Sequence, residues 1–246
     1  MQRLSGFFGL PGAKCDTSLD LAKATFAWIR EEIRKNPVDF VVWTGDSARH
    51  DNDLLRPRTV EEIVHYNAVV VDMMKETFGK DGPIGFVATV PNIGNNDIKH
   101  HNVLAAPPNE MLGALYGVFH ELLPSDQHEQ FLSGGYFPPT QPPAHHQMWI
   151  VSLNTMYFFT SNTEVDGCYG KSDPGTVQLE WLHETLHDAR ENGAVVILMG
   201  HVAPVIGSYY PNYYPKCAAD YSAITVLHKD VIRGQLFGHS NIDHYF

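Results

Sequence analysis

Four times in this 246-residue chain, an apolar, strand-like run ends in a glycine followed at once by Asp, Asn or His: Gly45-Asp46, Gly94-Asn95, Gly200-His201 and Gly238-His239. The glycine permits a sharp turn and a close backbone approach to a ligand. The residue after it carries an oxygen or nitrogen lone pair. Carboxylate, amide oxygen and imidazole all bind divalent ions such as Mn, Fe, Zn or Mg. Taken singly, each pair reads as an ordinary turn, a satisfied loop histidine or an Asn-capped turn. Four in order, each closing an apolar run, are much harder to explain as turns. They demand a fold that gathers several strand ends at one place.

The segments between these pairs supply such a fold. Residues 18–35 have Leu21, Phe26, Ile29 and Ile33 at near-helical spacing, with Ser18 or Asp20 placed to cap the start. Residues 59–78 make a second helix, opened by a Thr59–Glu62 capping-box pattern. Further helices are expected near 108–132, over 176–193 with Gly193 at the end, and over 219–233. The runs VDFVVW, IGFVATV, HQMWIVSLNTMYF and AVVILMG read as strands, and GGYFPPTQPP and SYYPNYYPKC as loops. Alternating strands and helices favour an α/β class, read here as one domain over residues 1–246. Open sheets of that class build their sites at strand ends, where the four pairs fall.

With 43% hydrophobic residues the chain can bury a sizeable core. Seventeen Lys and Arg against 28 Asp and Glu give a net charge of −11, which excludes a non-specific nucleic-acid surface. A polyanionic substrate would have to be held by something other than overall charge, and a bound metal ion is the obvious candidate. Candidates among the basic residues are Arg49, Arg56, Arg58, Lys99, His100 and His101, against the ordinary reading of a solvated surface. Arg49 leads them because it lies inside the first loop. No apolar run reaches the roughly 18 residues needed to cross a bilayer, so no membrane anchor is expected within this chain. The start MQRLSGFFGLPG has no hydrophobic region of a signal peptide. Cys15, Cys168 and Cys217 leave at least one cysteine without an internal partner, and buried thiols are their ordinary reading.

The ordered set GDSARHD, GNND, GHVAP and GHSN resembles the calcineurin-like metallophosphoesterase superfamily. Within it, WTGDSARHDND, PNIGNNDI, GHVAP and FGHSNIDHYF are similar to the endopolyphosphatase branch, a relative of acid sphingomyelinase-like phosphodiesterases. The similarity runs from about Ala13 to Phe246. The resemblance implies an αββα sandwich, two divalent metal ions, and metal-assisted hydrolysis of phosphoanhydride bonds within polyphosphate. It also implies a vacuolar location. Residue by residue, Asp46 matches a carboxylate that bridges two metals, and Asn95, His201 and His239 match the other ligands of one of them. Asn241 stands where most relatives have a histidine ligand, and Asn96 where most have a histidine that stabilises the transition state. His50 matches a histidine that helps the leaving group depart.

One feature departs from the family. No Asp-x-His precedes Asp46, so the expectation is an incomplete sandwich, shortened at both ends and lacking the first strand and motif, with a second metal two ligands short. A sphingomyelinase-like phosphodiesterase and an inactive pseudoenzyme are the competing readings. Related phosphodiesterases carry a disulfide near the third motif, which implies a Cys168–Cys217 pair and an unpaired Cys15.

Overall fold

Helices and strands alternate as the apolar patterning predicts. A computed structural model describes residues 6–10, 15–51, 54–123, 127–143, 145, 147–207 and 210–242. Asp243 to Phe246 of the FGHSNIDHYF stretch, Asn52 and Asp53 of WTGDSARHDND, and Ser208 and Tyr209 of the aromatic loop lie outside the described residues.

Helix α1 (Leu19–Lys35) starts at Ser18, whose hydroxyl accepts from the Leu21 N–H. It buries Ile33 against Phe78 and Val87 in a small satellite core. Strand β1 (Phe40–Trp43) leads into the first motif. Helix α2 (Val60–Phe78) is capped by Thr59, whose side chain accepts from the Glu62 N–H. The Glu62 carboxylate also binds Arg49, with the Thr59 backbone N–H a further donor to it. Strand β2 (Ala88–Pro91) runs parallel to β1, pairing Phe40 with Ala88 and Trp43 with Pro91.

The stretch expected as one helix over 108–132 is two: α3 (Glu110–Phe119), capped by Asn109, and α4 (His128–Gly134). The second helix ends where Gly135 turns left-handed at φ 70°. Strand β3 (Phe137–Thr140), inside the expected Gly/Pro loop, pairs antiparallel with β4 (Met148–Ser152). Helix α5 (Pro174–Glu191) begins two residues early because Asp173 caps it and Pro174 suits the first turn. Strand β5 (Val195–Gly200) precedes a short hairpin of β6 (Val205–Ile206) and β7 (Tyr210–Pro211). The helix expected over 219–233 is instead α6 (Pro215–Leu227), followed by strand β8 (Ile232–Phe237). Pro215 starts the helix, and a turn through His228 redirects the chain into the sheet.

The larger sheet has the order β3-β4-β5-β8, with β4, β5 and β8 parallel. Helix α2 packs on β2, α5 packs on β5, and β2 meets β4. Asn92 ties that junction, its amide donating to the Ser152 hydroxyl (2.7 Å) and to the Leu153 carbonyl (2.8 Å). The class is mixed α/β, as expected. Strands β1, β2, β5 and β8 each deliver one glycine pair from their C-terminal ends. Cys168 and Cys217 are both buried and joined by a disulfide, while Cys15 is exposed with a free thiol.

Candidate metal centre

The loops after β1 and β2 press directly on each other. A Cβ on Gly45 would collide with the backbone of Gly94, and one on Gly94 with the backbone and carboxylate of Asp46. Gly45 also sits at φ 88°, where a side chain is strained, so both positions need glycine. Asp46 follows at φ 63° and His239 at φ 68°, left-handed conformations rare for residues other than glycine. Strained backbone at ligand-bearing positions is typical of functional loops.

Four lone-pair atoms meet at the centre. His201 Nε2 lies 2.7 Å from Asn95 Oδ1 and 3.3 Å from Asp46 Oδ2. His239 Nδ1 lies 2.9 Å from Asn95 Oδ1 and 3.3 Å from His201 Nε2. Asn95 and His201 are buried, with the cluster opening into a cavity of about 240 Å³ lined by Asp46, His50, Asn96, His101, Phe159 and His239. Among the described residues, Asp46, His201 and His239 form one group of His, Cys and carboxylate side chains able to share a metal ion.

The donor chemistry fits a cation. His201 Nδ1 is 2.7 Å from the Thr44 carbonyl, so it carries the proton and leaves Nε2 facing the centre. The Asn95 amide nitrogen donates to Asn102 Oδ1 (3.0 Å) and to His101 Nε2 (2.6 Å), which turns its oxygen inward. His101 Nδ1 in turn lies 3.2 Å from Asp51. Ligands about 2.1 Å from a metal are separated by about 3.0–3.4 Å in octahedral or tetrahedral shells, close to the spacings here. Four acceptors so placed repel one another unless a positive charge lies between them.

Protonation follows the same logic. Burial pushes the Asp46 carboxyl up, but the His201 hydrogen bond and charge, with the Asn96 N–H groups, bring it down to about 2. Burial opposes a charge on His201, yet bonding to Asp46 outweighs it and raises this imidazole above its ordinary 6.5. Burial and the neighbouring His201 lower His239 to about 4, leaving it neutral.

Two buried groups brace the loops, and only one of them was considered from the sequence. Asp97 accepts five N–H bonds: from Asp46 (2.7 Å), Gly94 (2.9 Å), Ser47 (2.9 Å), Ala48 (3.2 Å) and the Asn67 amide (3.0 Å). Burial and the Asp46 charge push its carboxyl upward, while these donors pull it down. The signal available for it was its place in GNND. Arg58, considered above as a phosphate binder, is buried and donates to the carbonyls of Arg49 (3.0 Å), Asn96 (2.6 Å) and Ile98 (3.0 Å). It is a strut.

The remaining expected site residues fall at graded distances. His50 lines the cavity, with Nδ1 2.6 Å from Asp16. Asn96 lines it too, but its backbone N–H and side-chain amide donate to Asp46 at 2.8 and 2.9 Å. The Arg49 guanidinium turns to Glu62 (2.7 and 3.0 Å) and the Arg56 carbonyl (2.7 Å). Lys99 and His100 are exposed just beyond the second loop. Asn241 is exposed at φ 56° and is not among the cavity's lining residues.

A strand-end cluster of these donors on a mixed α/β frame has the make-up of a divalent-metal site. The sequence profile of the calcineurin-like phosphoesterase family matches residues 17–243, and the chain belongs to that family. It is similar to proteins named endopolyphosphatase from Cryptococcus neoformans (42% identical, covering 99% of this chain and 34% of the relative) and Neurospora crassa (39%, covering 98% and 33%). The Saccharomyces cerevisiae endopolyphosphatase is 36% identical over 97% of this chain and 35% of its own length. The chain thus spans about a third of the length of these curated relatives.

Proposed function

We propose that residues 1–246 form one catalytic domain that hydrolyses phosphoanhydride bonds within inorganic polyphosphate. The observation that carries the reading is the convergence of Asp46, Asn95, His201 and His239 on one point, in a chain 36–42% identical to proteins named endopolyphosphatase.

Asp46 Oδ2, Asn95 Oδ1, His201 Nε2 and His239 Nδ1 would hold a divalent metal. A metal bound there supplies Lewis acidity toward a phosphoryl oxygen and toward water. The neutral His239 and the ionised Asp46 are already in ligating form at neutral pH. Thr44, His101 and Asn102 keep the correct atoms turned inward. His50 stands at the cavity wall, within reach of a leaving oxygen. Asn96 orients the Asp46 carboxylate through two N–H bonds. Lys99 and His100 remain as rim contacts for flanking phosphates, whereas Arg49 serves mainly to join the first loop to α2. A phosphate leaving group is stable as an anion, so a reaction on polyphosphate leans less on a strong acid than one on an alkyl ester. A vacuolar location belongs to the same reading, drawn from the family resemblance and the disulfide, which suits an oxidising compartment. Among the described residues no helix is long and apolar enough to cross a membrane.

One observation favours a phosphodiesterase acting on an ester with an apolar group. A second, smaller cavity of about 80 Å³ adjoins the first at His239 and is walled partly by Val205, Ile206, Phe237 and Ile242. Incubating the metal-loaded chain with long-chain polyphosphate and resolving the products on a gel decides between the two. Internal cleavage to intermediate lengths, abolished by Asp46→Asn, is the expected result. An intact polymer alongside turnover of a phosphocholine ester would replace the reading.

A further inference from the structure

We propose that Asp16 is the positioning residue for His50, and that the two form a carboxylate–imidazole dyad presenting His50 Nε2 to the leaving oxygen. The catalytic half of this inference rests on the phosphoesterase reading above.

His50 differs from the other imidazoles around the cavity. His239 and His101 each place a ring nitrogen on Asn95, and His201 joins Asn95 to Asp46, so all three belong to the metal centre or its support. His50 bonds to none of these residues. Its Nδ1 lies 2.6 Å from Asp16 Oδ1, a carboxylate 34 residues away in sequence. Among the described residues its Nε2 has no hydrogen-bond partner, and the ring lines the same cavity as Asp46 and Asn96. The His101 ring stands edge-on to it at 6.3 Å, with its Nδ1 3.2 Å from Asp51 Oδ1.

Asp16 stands next to the start of α1. It lies two residues before Ser18, which caps α1 and also donates its hydroxyl to the Phe7 carbonyl at 2.9 Å. The start of α1 therefore carries a carboxylate to the rim of a cavity otherwise built by strand ends. A carboxylate against Nδ1 holds the proton on that nitrogen, the less favoured neutral tautomer, and leaves Nε2 as the exchanging position. It also orients the ring, as a third group does for a catalytic base.

The step balances simply. The water oxygen forms a bond to phosphorus and loses its proton to solvent. The bridging P–O bond breaks with its electron pair on the departing oxygen, which takes the proton from Nε2 of the protonated ring. The contribution grows with the basicity of that oxygen. It is small for a phosphate or nitrophenolate and large for an unactivated phenolate.

The test compares wild type, Asp16→Ala, Asp16→Glu and His50→Gln, all metal-loaded, on aryl phosphate esters of graded leaving-group basicity. Both partners are half exposed, and neither lies in the core. Asp16→Ala should lower kcat about tenfold for phenyl esters and under about twofold for p-nitrophenyl esters, with metal affinity unchanged. Asp16→Glu should restore part of the loss, and adding Asp16→Ala to His50→Gln should cost nothing further. Nitrogen-15 NMR of histidine-labelled chain, with His50 assigned by its absence in His50→Gln, should show an Nδ1–H ring converting to Nε2–H in Asp16→Ala. An unchanged tautomer, or a loss uniform across leaving groups, overturns the proposal. Wild-type chain that cleaves polyphosphate but no aryl ester overturns the catalytic half alone, chain that cleaves neither sinks the phosphoesterase reading as well, and the NMR decides the dyad in both cases.

Discussion

Replacing Asp97 by Asn tests whether one buried carboxylate holds the two metal-bearing loops together. Its Oδ1 accepts from Ser47, Ala48 and the Asn67 amide, and its Oδ2 from Asp46 and Gly94. An asparagine that keeps the first three bonds must aim its NH2 group at the two remaining N–H donors. Two hydrogen bonds to a charged group are then lost, each worth about 1.5–3 kcal/mol, and two buried donors are left unsatisfied. Relief of the repulsion between Asp97 and Asp46, which burial and charge both register as a raised carboxyl, offsets part of this. A net loss of about 2–5 kcal/mol follows, a large share of the 5–15 kcal/mol that typically holds a domain folded. Urea denaturation of metal-free chain should show the midpoint falling with an unchanged slope. The damage should also reach the site, because the Asp46 N–H anchor is one of the lost bonds. Metal affinity should fall although no ligand is altered. A stability loss below about 1 kcal/mol together with native metal affinity would refute the idea that Asp97 sets the geometry of the loops.

Other perturbations give distinct readouts. His101→Ala frees the Asn95 amide to rotate and should weaken metal binding about 10- to 100-fold by calorimetry, with little change in melting temperature. In the metal-free chain Asp46 stabilises fully above its ordinary 3.8, and that contribution is lost as pH falls through about 2. His201 stabilises fully below its ordinary 6.5, and its contribution is lost as pH rises through its elevated value. His239 works the other way, its depressed value of about 4 costing stability below 6.5, so the alkaline decline should show in the melting temperature of metal-free His239→Gln chain, where that opposing contribution is gone. Saturating Mn²⁺ should remove that decline, since the cation replaces the His201 proton, and a decline that persists with metal would count against the shared site. Mutating Cys168 and Cys217 to Ser should cost about 4 kcal/mol, as expected for a loop closed over 49 residues, measured by denaturation under oxidising conditions.

What could be read in the sequence and what could not divide along a physical line. Asp46, Asn95, His201 and His239 were legible because each directly follows a glycine at the end of an apolar run, a local pattern that needs no knowledge of the fold. The strand-and-helix alternation was legible for the same reason. It failed where local signals conflicted, as over 219–233, where Pro215 starts the helix early and the last residues leave it for β8. The groups that aim the ligands were hidden, because their partners are distant: His201 is oriented by Thr44 across 157 positions, and Asp97 reaches Asp46 across 51. Arg58 and Arg49 were hidden for the same reason. An arginine near a loop of metal ligands invites a phosphate-binding reading, yet both guanidiniums answer the needs of the loops themselves.

That last point bears on how a chain of net charge −11 can meet a polyanion. Among the described residues the cavity is lined by one carboxylate, three asparagines, three imidazoles and a phenyl ring, without lysine or arginine. Two arginines that could have faced it are bound to Glu62 and to backbone carbonyls instead. Attraction for phosphate at the centre must then come from the cation held by Asp46, Asn95, His201 and His239 and from ring protons on residues such as His50. Substrate affinity should accordingly collapse on metal removal rather than merely decline. A fluorescent polyphosphate that binds metal-free chain as tightly as the loaded one, at equal ionic strength, would show that a surface other than this cavity does the holding.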